Sequence, residues 1–260
     1  MKDVIDYEDF GAISPSKTVS HKPQTEDLRF SDPLVIQIVE AWRARQDMVR
    51  AQQKLTLQVK AICRRFCGGD KDEAEKLYKR IEKGDGGDAA LAVAPLLMAR
   101  EPLEVQRKSY EKTLEKMAKK LPIYSYTESI KGFGAMSLAK TVGECGDLSA
   151  YPSVSGVWKR AGLAVINGGR QRRIAGEEAL LHGYSPIRRS VFWNIADPLL
   201  KCQGKDENAL LYRQIYDKRK EYELSRDIPK GHAHNRAMRY MTKELLKHLT
   251  LEWKRIARQQ

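Results

Sequence analysis

The chain has 260 residues, with 47 lysines and arginines against 34 acids and a formal net charge of +13. That excess favours a polyanionic partner, nucleic acid before membrane, and no apolar run approaches a bilayer-spanning length. The acidic start from Met1 to Phe10 does not read as a secretory leader, and four scattered cysteines read as reduced thiols of a cytoplasmic protein.

Residues 1–30 mix Ser, Pro, Thr, Lys and acids without periodicity, the pattern of a flexible acidic tail. At Ser31-Asp32-Pro33 a helix start is expected, with Ser31 or Asp32 as the cap and Pro33 in the first helical position. Val35, Ile38, Trp42, Val49, Leu55, Val59, Ile62 and Phe66 then recur at helical spacing until Gly68-Gly69. Asp70 and Glu73 predict a capping pair for a second helix, which Gly84 to Gly87 ends. A third helix runs to about Leu121, and Pro95 and Pro102 are expected to break or kink its beginning. Residues 31–121 thus read as an antiparallel, coiled-coil-like arm, with an ordinary helical bundle as the alternative. Cys63 and Cys67, one turn apart, read as core rather than zinc ligands.

After Pro122 the segments shorten and glycine increases, which marks a second region, 122–260. A short helix over Tyr124–Ser129 leads to Gly132 and Gly134, and a further helix runs through Glu144. Glycines there permit positive φ and a close approach to a ligand, and the amides of the next helix carry partial positive charge. With Lys131 and Lys140 beside it, this helix-hairpin-helix-like turn is a candidate phosphate clamp, with a plain packing turn as the alternative. Residues 152–161 read as helix and 162–175 as a basic loop with a short hairpin. Arg170, Arg172 and Arg173 in that loop, reinforced by Arg188 and Arg189, suit bidentate contacts to backbone phosphates. Helices are expected at about 185–202, 206–224 and 233–257, so the fold class is all-α. His232 and His234 read as neighbours of the last helix, and Met136, Met238 and Met241 as core fillers.

Charge is unevenly spread along this order. Residues 1–40 hold 4 basic and 8 acidic side chains, whereas residues 153–260 hold 22 basic and 11 acidic ones. The binding surface is therefore expected in the C-terminal half.

The segment from Ile130 to Asp147, then Tyr151, Trp158, Leu163, the Gly168–Arg173 loop and Ser185–Arg189 occur in a suggestive order. Tyr212, Tyr216, Arg219-Lys220, His234 to Ala237, Leu245-Leu246 and Trp253 extend it. The order resembles the C-terminal transposase domain of the DEDD-type insertion-sequence transposases, the bridge-RNA-guided recombinases, over about residues 122–260. The resemblance implies a helical domain that engages DNA, or structured RNA, behind a coiled-coil arm in a homo-oligomer associated with the nucleoid. Family members also carry a ribonuclease-H-like domain with four metal-binding acids. Residues 1–30 are not expected to form such a domain, and Asp3, Asp6, Glu8 and Asp9 lack strand context. The family's nucleophilic serine is matched here by Ile166 and Asn167, neither able to attack a phosphate. Ser185 and Ser190 do not match that slot. No catalytic residue, metal or cofactor is therefore assigned. The expectation is a transposase-related binding protein without autonomous catalysis.

Overall fold

Asp32 starts the long first helix, α1 (Pro33–Phe66). Its carboxylate accepts from the amides of Leu34 (2.7 Å) and Val35 (3.2 Å), and Pro33 needs no partner for an amide hydrogen it lacks. The computed structural model describes residues 28–259, so most of the acidic tail, with Asp3, Asp6, Glu8 and Asp9, lies outside the described residues. Beyond α1, Asp70 caps α2 (Lys71–Ile81) through the amides of Asp72 and Glu73. The expected reciprocal half of that cap is not made, because the Glu73 carboxylate takes the Lys76 ammonium at 2.8 Å instead.

The third helix, α3 (Gly87–Ala118), returns along α1. Arg45 to Glu111 (2.7 Å) and Arg100 to Thr56 (3.4 Å) fix the antiparallel register. Contrary to the sequence-based expectation, α3 runs unbroken through Pro95 and Pro102. Both prolines are exposed, and the carbonyls they free belong to Leu91 and Met98, themselves exposed, where water can take the lost bond.

Two cores result. A small one at the arm's tip gathers Val59, Cys63, Ala74, Tyr78, Ile81, Ala89 and Val93 from all three helices. The large one starts at the arm's root, with Val35, Ile38, Trp42, Leu114 and Ala118, and continues without interruption into the region after Pro122. The change of texture at Pro122 is therefore a change in element length and not a break in packing. All four cysteines are free thiols.

The C-terminal region is built of α4 (Tyr124–Glu128), α5 (Ala135–Cys145), α6 (Val154–Arg160), a two-stranded hairpin β1 (Val165–Ile166) and β2 (Gly169–Arg170), α7 (Glu178–His182), α8 (Pro186–Cys202), α9 (Leu211–Leu224) and α10 (Lys230–Ala257). The class is all-α, with that hairpin as the only sheet among the described residues. Helix α10 packs through Ala237, Met241, Leu245, Leu249 and Trp253, a stripe at helical spacing that is buried along its length. His232 and His234 lie within the first turns of α10 and not outside it, because the helix starts at Lys230. His234 Nδ1 is 2.7 Å from the Tyr216 hydroxyl of α9, and its ring meets Trp193 edge-on. Among the described residues, no helix is long and apolar enough to cross a membrane.

Candidate nucleic-acid interface

The hairpin is held by one buried amide. Gln171 donates to the carbonyls of Lys159 (3.0 Å) and His182 (2.5 Å), and its oxygen accepts from the Ala164 amide (3.1 Å). Asn167 (φ 50°) and Gly168 (φ 73°) form the reversal, the left-handed pair that a two-residue hairpin loop needs. This peg fixes where the neighbouring arginines go: Arg170 turns to one side, while Arg172 and Arg173 stay in solvent.

On Arg170's side lies a groove of about 700 Å³ between the hairpin, the first turn of α8, and the pair α9/α10. Its cations are Arg170, Arg189, Arg219, Arg236, Arg239 and Lys243, and its one acid is Glu223. That acid is already committed. Fully buried, it accepts from Arg236 (2.8 Å) and from Arg219. Burial would raise its pKa, but these two guanidinium hydrogen bonds outweigh burial and hold the carboxyl below the usual range.

The remaining cations have no carboxylate within ion-pair distance among the described residues. Arg239 donates through Nη2 to the carbonyls of Leu163 and Ala164, both at 2.7 Å, and its buried Nη1 has no hydrogen-bond partner. Burial, then Arg189 and Arg170, push Arg239 down to about 10. Burial likewise lowers Arg189, with Arg170 adding to it, and lowers Lys243, with Arg239 adding to it. The Lys243 ammonium rests 3.9 Å from the centre of the Trp158 ring, which fixes it in place. Four unneutralised cations thus crowd one another beside the hairpin. An anion in the groove would relieve that repulsion and supply the acceptor Arg239 lacks. A phosphate about 4 Å from a half-buried guanidinium gains roughly 4 kcal/mol at an effective dielectric constant of about 20, against about 1 kcal/mol in water. The half-buried Arg189, Arg239 and Lys243 would gain more from such an anion than the exposed Arg172 and Arg173.

The nine residues singled out from the sequence are not gathered into one site. Arg170 and Arg189 enter the groove. Lys140 and Arg188 line a different cleft against α1, and Arg188 pairs there with Glu144 at 3.3 Å. Arg172 borders a smaller pocket of about 450 Å³ with Asn167, Glu178 and His182, which Arg170 also lines. Gly132 is turned against α8: a Cβ on it would lie 2.8 Å from Cys202 Cβ and 3.0 Å from both Leu199 Cα and Pro198 oxygen. The Lys131 carbonyl accepts from Gln203 at 2.6 Å, so that side of the turn is a packing surface. Gly134 and the Lys131 side chain remain exposed at the start of α5, where no side chain caps the helix.

Arg219, Arg236, Arg239 and Lys243 were not assigned as binding residues from the sequence. Their signal is positional: 236, 239 and 243 fall on one stripe of α10, opposite the stripe carrying Ala237, Met241 and Leu245. The two serines near the loop serve the fold, since Ser185 Oγ caps α8 by accepting from the Arg188 amide (3.2 Å) and Ser190 Oγ donates to the Ile187 carbonyl (2.8 Å). Comparisons with protein-family models, with curated proteins and with solved structures returned no match.

Proposed function

We propose that this chain is a transposase-related DNA-binding protein that grips the nucleic-acid backbone and does not cut it alone. The observation carrying this is the groove beside the hairpin, where Arg170, Arg189, Arg239 and Lys243 converge and the one acid present is consumed by two further arginines. Contacts of this kind fix position on a polyanion without reading bases, and each neutralised phosphate releases counterions. The motif order shared with the transposase C-terminal domain supports the narrower part of the reading. So does the turn before α5, a helix-hairpin-helix-like element whose Lys131 and open amides would take an adjoining phosphate. The reading carries with it a cytoplasmic, nucleoid-associated location.

The deciding measurement is equilibrium binding of a short DNA duplex and a structured RNA across a salt series, with polyglutamate as competitor. The expected result is a logarithmic salt slope of about −4 for duplex, from four to five phosphates neutralised, and little displacement by polyglutamate. Equal binding of polyglutamate would instead indicate a scaffold for acidic proteins. Cleavage or strand transfer in Mg²⁺ by the chain alone would overturn the non-catalytic part, and activity only with a second chain would make it a recombinase subunit.

The arm is proposed to mediate self-association. Leu91, Met98 and Val105 are all exposed and seven residues apart, so they align along one face of α3. Sedimentation equilibrium should give a dimer or larger species that Met98→Glu dissociates. A monomeric wild-type chain at about 50 μM, which excludes a dimer with Kd below that concentration, would remove this part.

A further inference from the structure

A second basic cavity lies on another face, between the root of α1, α5 and α8, with a volume of about 520 Å³. It exists because residue 143 is glycine. A Cβ there would collide with the Trp42 ring, so only glycine lets the indole lie against α5 and form the floor. Trp42 Nε1 donates to Glu144 Oε1 (2.9 Å), and Arg188 Nε donates to Glu144 Oε2 (3.3 Å). Arg160 Nε donates to the Glu144 carbonyl (2.9 Å), and Arg188 Nη1 donates to the Arg160 carbonyl (3.2 Å). Helices α1, α5, α6 and α8 are thereby tied together around Glu144, through its carboxylate and its main-chain carbonyl.

The cavity wall is far more cationic than this lock requires. Its charged residues are Arg43, Arg45, Arg50, Lys140, Arg160 and Arg188 against Glu144 alone. Arg43 and Arg50 are exposed and paired outward with Glu40 and Asp47, and Arg45 is paired with Glu111 at 2.7 Å. Glu144 has both oxygens occupied. Lys140 and Arg160 are left with no carboxylate within ion-pair distance among the described residues, and both are half-buried. Burial, with Arg45 beside Lys140 and Arg188 beside Arg160, lowers both groups' pKa values. A network serving the fold alone gains nothing from the charge of Lys140, which no carboxylate offsets, or from that of Arg160, whose hydrogen bond goes to a neutral carbonyl, because a half-buried cation without a counter-charge is destabilising.

We propose that this cleft binds a small phosphorylated molecule of nucleotide size, its phosphates held between Lys140 and Arg160. The volume falls in the range of small-ligand pockets, about 300–1,000 Å³. Gln46, Gln53 and Asn194 at the wall supply neutral donors and acceptors for the non-phosphate part. Helices α1, α5 and α8 line the cavity, with the buried Trp42 ring at its base. The site is independent of the nucleic-acid groove, since the two share no lining residue.

The test uses the full chain with pyrophosphate, ADP, adenosine and a 5′-phosphorylated oligonucleotide, read by calorimetry and thermal shift. Pyrophosphate and ADP are expected to bind one per chain at low salt with Kd below about 1 mM, and adenosine is not. Lys140→Gln should weaken pyrophosphate at least tenfold while changing the unliganded Tm by no more than about 3 °C and leaving duplex binding intact. Arg239→Gln should do the reverse, weakening duplex and sparing pyrophosphate. Absence of saturable binding, or binding insensitive to Lys140→Gln, overturns the proposal. So does loss of pyrophosphate binding in Arg239→Gln, which would assign it to the other groove. Sensitivity to Lys140→Gln seen only with the phosphorylated oligonucleotide would give the cleft to a strand end and overturn the small-ligand assignment.

Discussion

Replacing Arg189 and Arg239 together by glutamine is expected to weaken duplex DNA binding about a hundredfold near 100 mM salt, roughly 2.7 kcal/mol. The logarithmic salt slope should fall in magnitude by about 1.8, the share of two phosphates on a duplex. Both side chains are half-buried, lack carboxylates among the described residues and lie against Arg170, so their charge is poorly screened. Arg172→Gln with Arg173→Gln removes the same formal charge from exposed positions, and a loss of about tenfold or less is expected there. Arg239 also clamps the Leu163 and Ala164 carbonyls, so its loss loosens the base of the hairpin. Lys243→Gln separates the two effects, because Lys243 donates no hydrogen bond to the hairpin among the described residues. It should still cost affinity and about 0.9 of slope. Gel-shift or fluorescence anisotropy across a salt series reads all three variants. A double arginine variant within twofold of wild type at an unchanged slope would show that DNA does not use this groove.

Gly132→Ala is expected to destabilise the chain by about 2–5 kcal/mol. Left-handed backbone costs an L-residue roughly 1–2 kcal/mol, and overpacking adds about 1–3 kcal/mol. Gly132 has φ 89°, and two of the three atoms its Cβ would strike are main-chain atoms of α8, which cannot swing aside. Gly134 has φ −81° and nothing within 4 Å of the place a methyl group would take, so Gly134→Ala should cost under about 1 kcal/mol, the loss of a glycine cap. In thermal melts the first variant should lose about 5 °C or more and the second about 3 °C or less. Equal melting temperatures would show that α8 does not press on the turn. The pair also separates packing from binding: a Gly134→Ala protein that folds normally but binds DNA more weakly would point to the open amides of α5.

The reach of sequence reading differs sharply between elements. Asp32-Pro33 and Asp70 identify helix starts because a cap is a local hydrogen bond, completed within three residues. The short hairpin expected within 162–175 turns at Asn167-Gly168, also a local matter, since two φ angles decide the reversal. Pro95 and Pro102 misled because a proline's cost depends on whether water can reach the freed carbonyl, which is a property of the helix's surroundings. The glycine turn divided in two: that Gly132 needs positive φ is local, whereas the identity of what presses on it, α8 some seventy residues later, is not.

The candidate site shows the same division. Composition and the 22 basic residues against 11 acids after position 152 already point to the C-terminal half as the cationic one. They could not sort its arginines, because charge counted along a chain ignores which cation is neutralised by which acid. Arg188 and Arg189 are adjacent in sequence, yet one pairs with Glu144 in the cleft against α1 and the other enters the groove of Arg239. One step along a helix turns a side chain by about 100°, enough to send neighbours to opposite faces. By itself the sequence determined the helical class, the capped helix starts at Asp32 and Asp70 and the sign of the charge, all properties settled within a few residues or by simple addition. The helices expected from about 206 and 233 start instead at Leu211 and Lys230. Only the tertiary structure decided which cations stand unneutralised together, because that depends on long-range packing of α8, α9 and α10 against the hairpin.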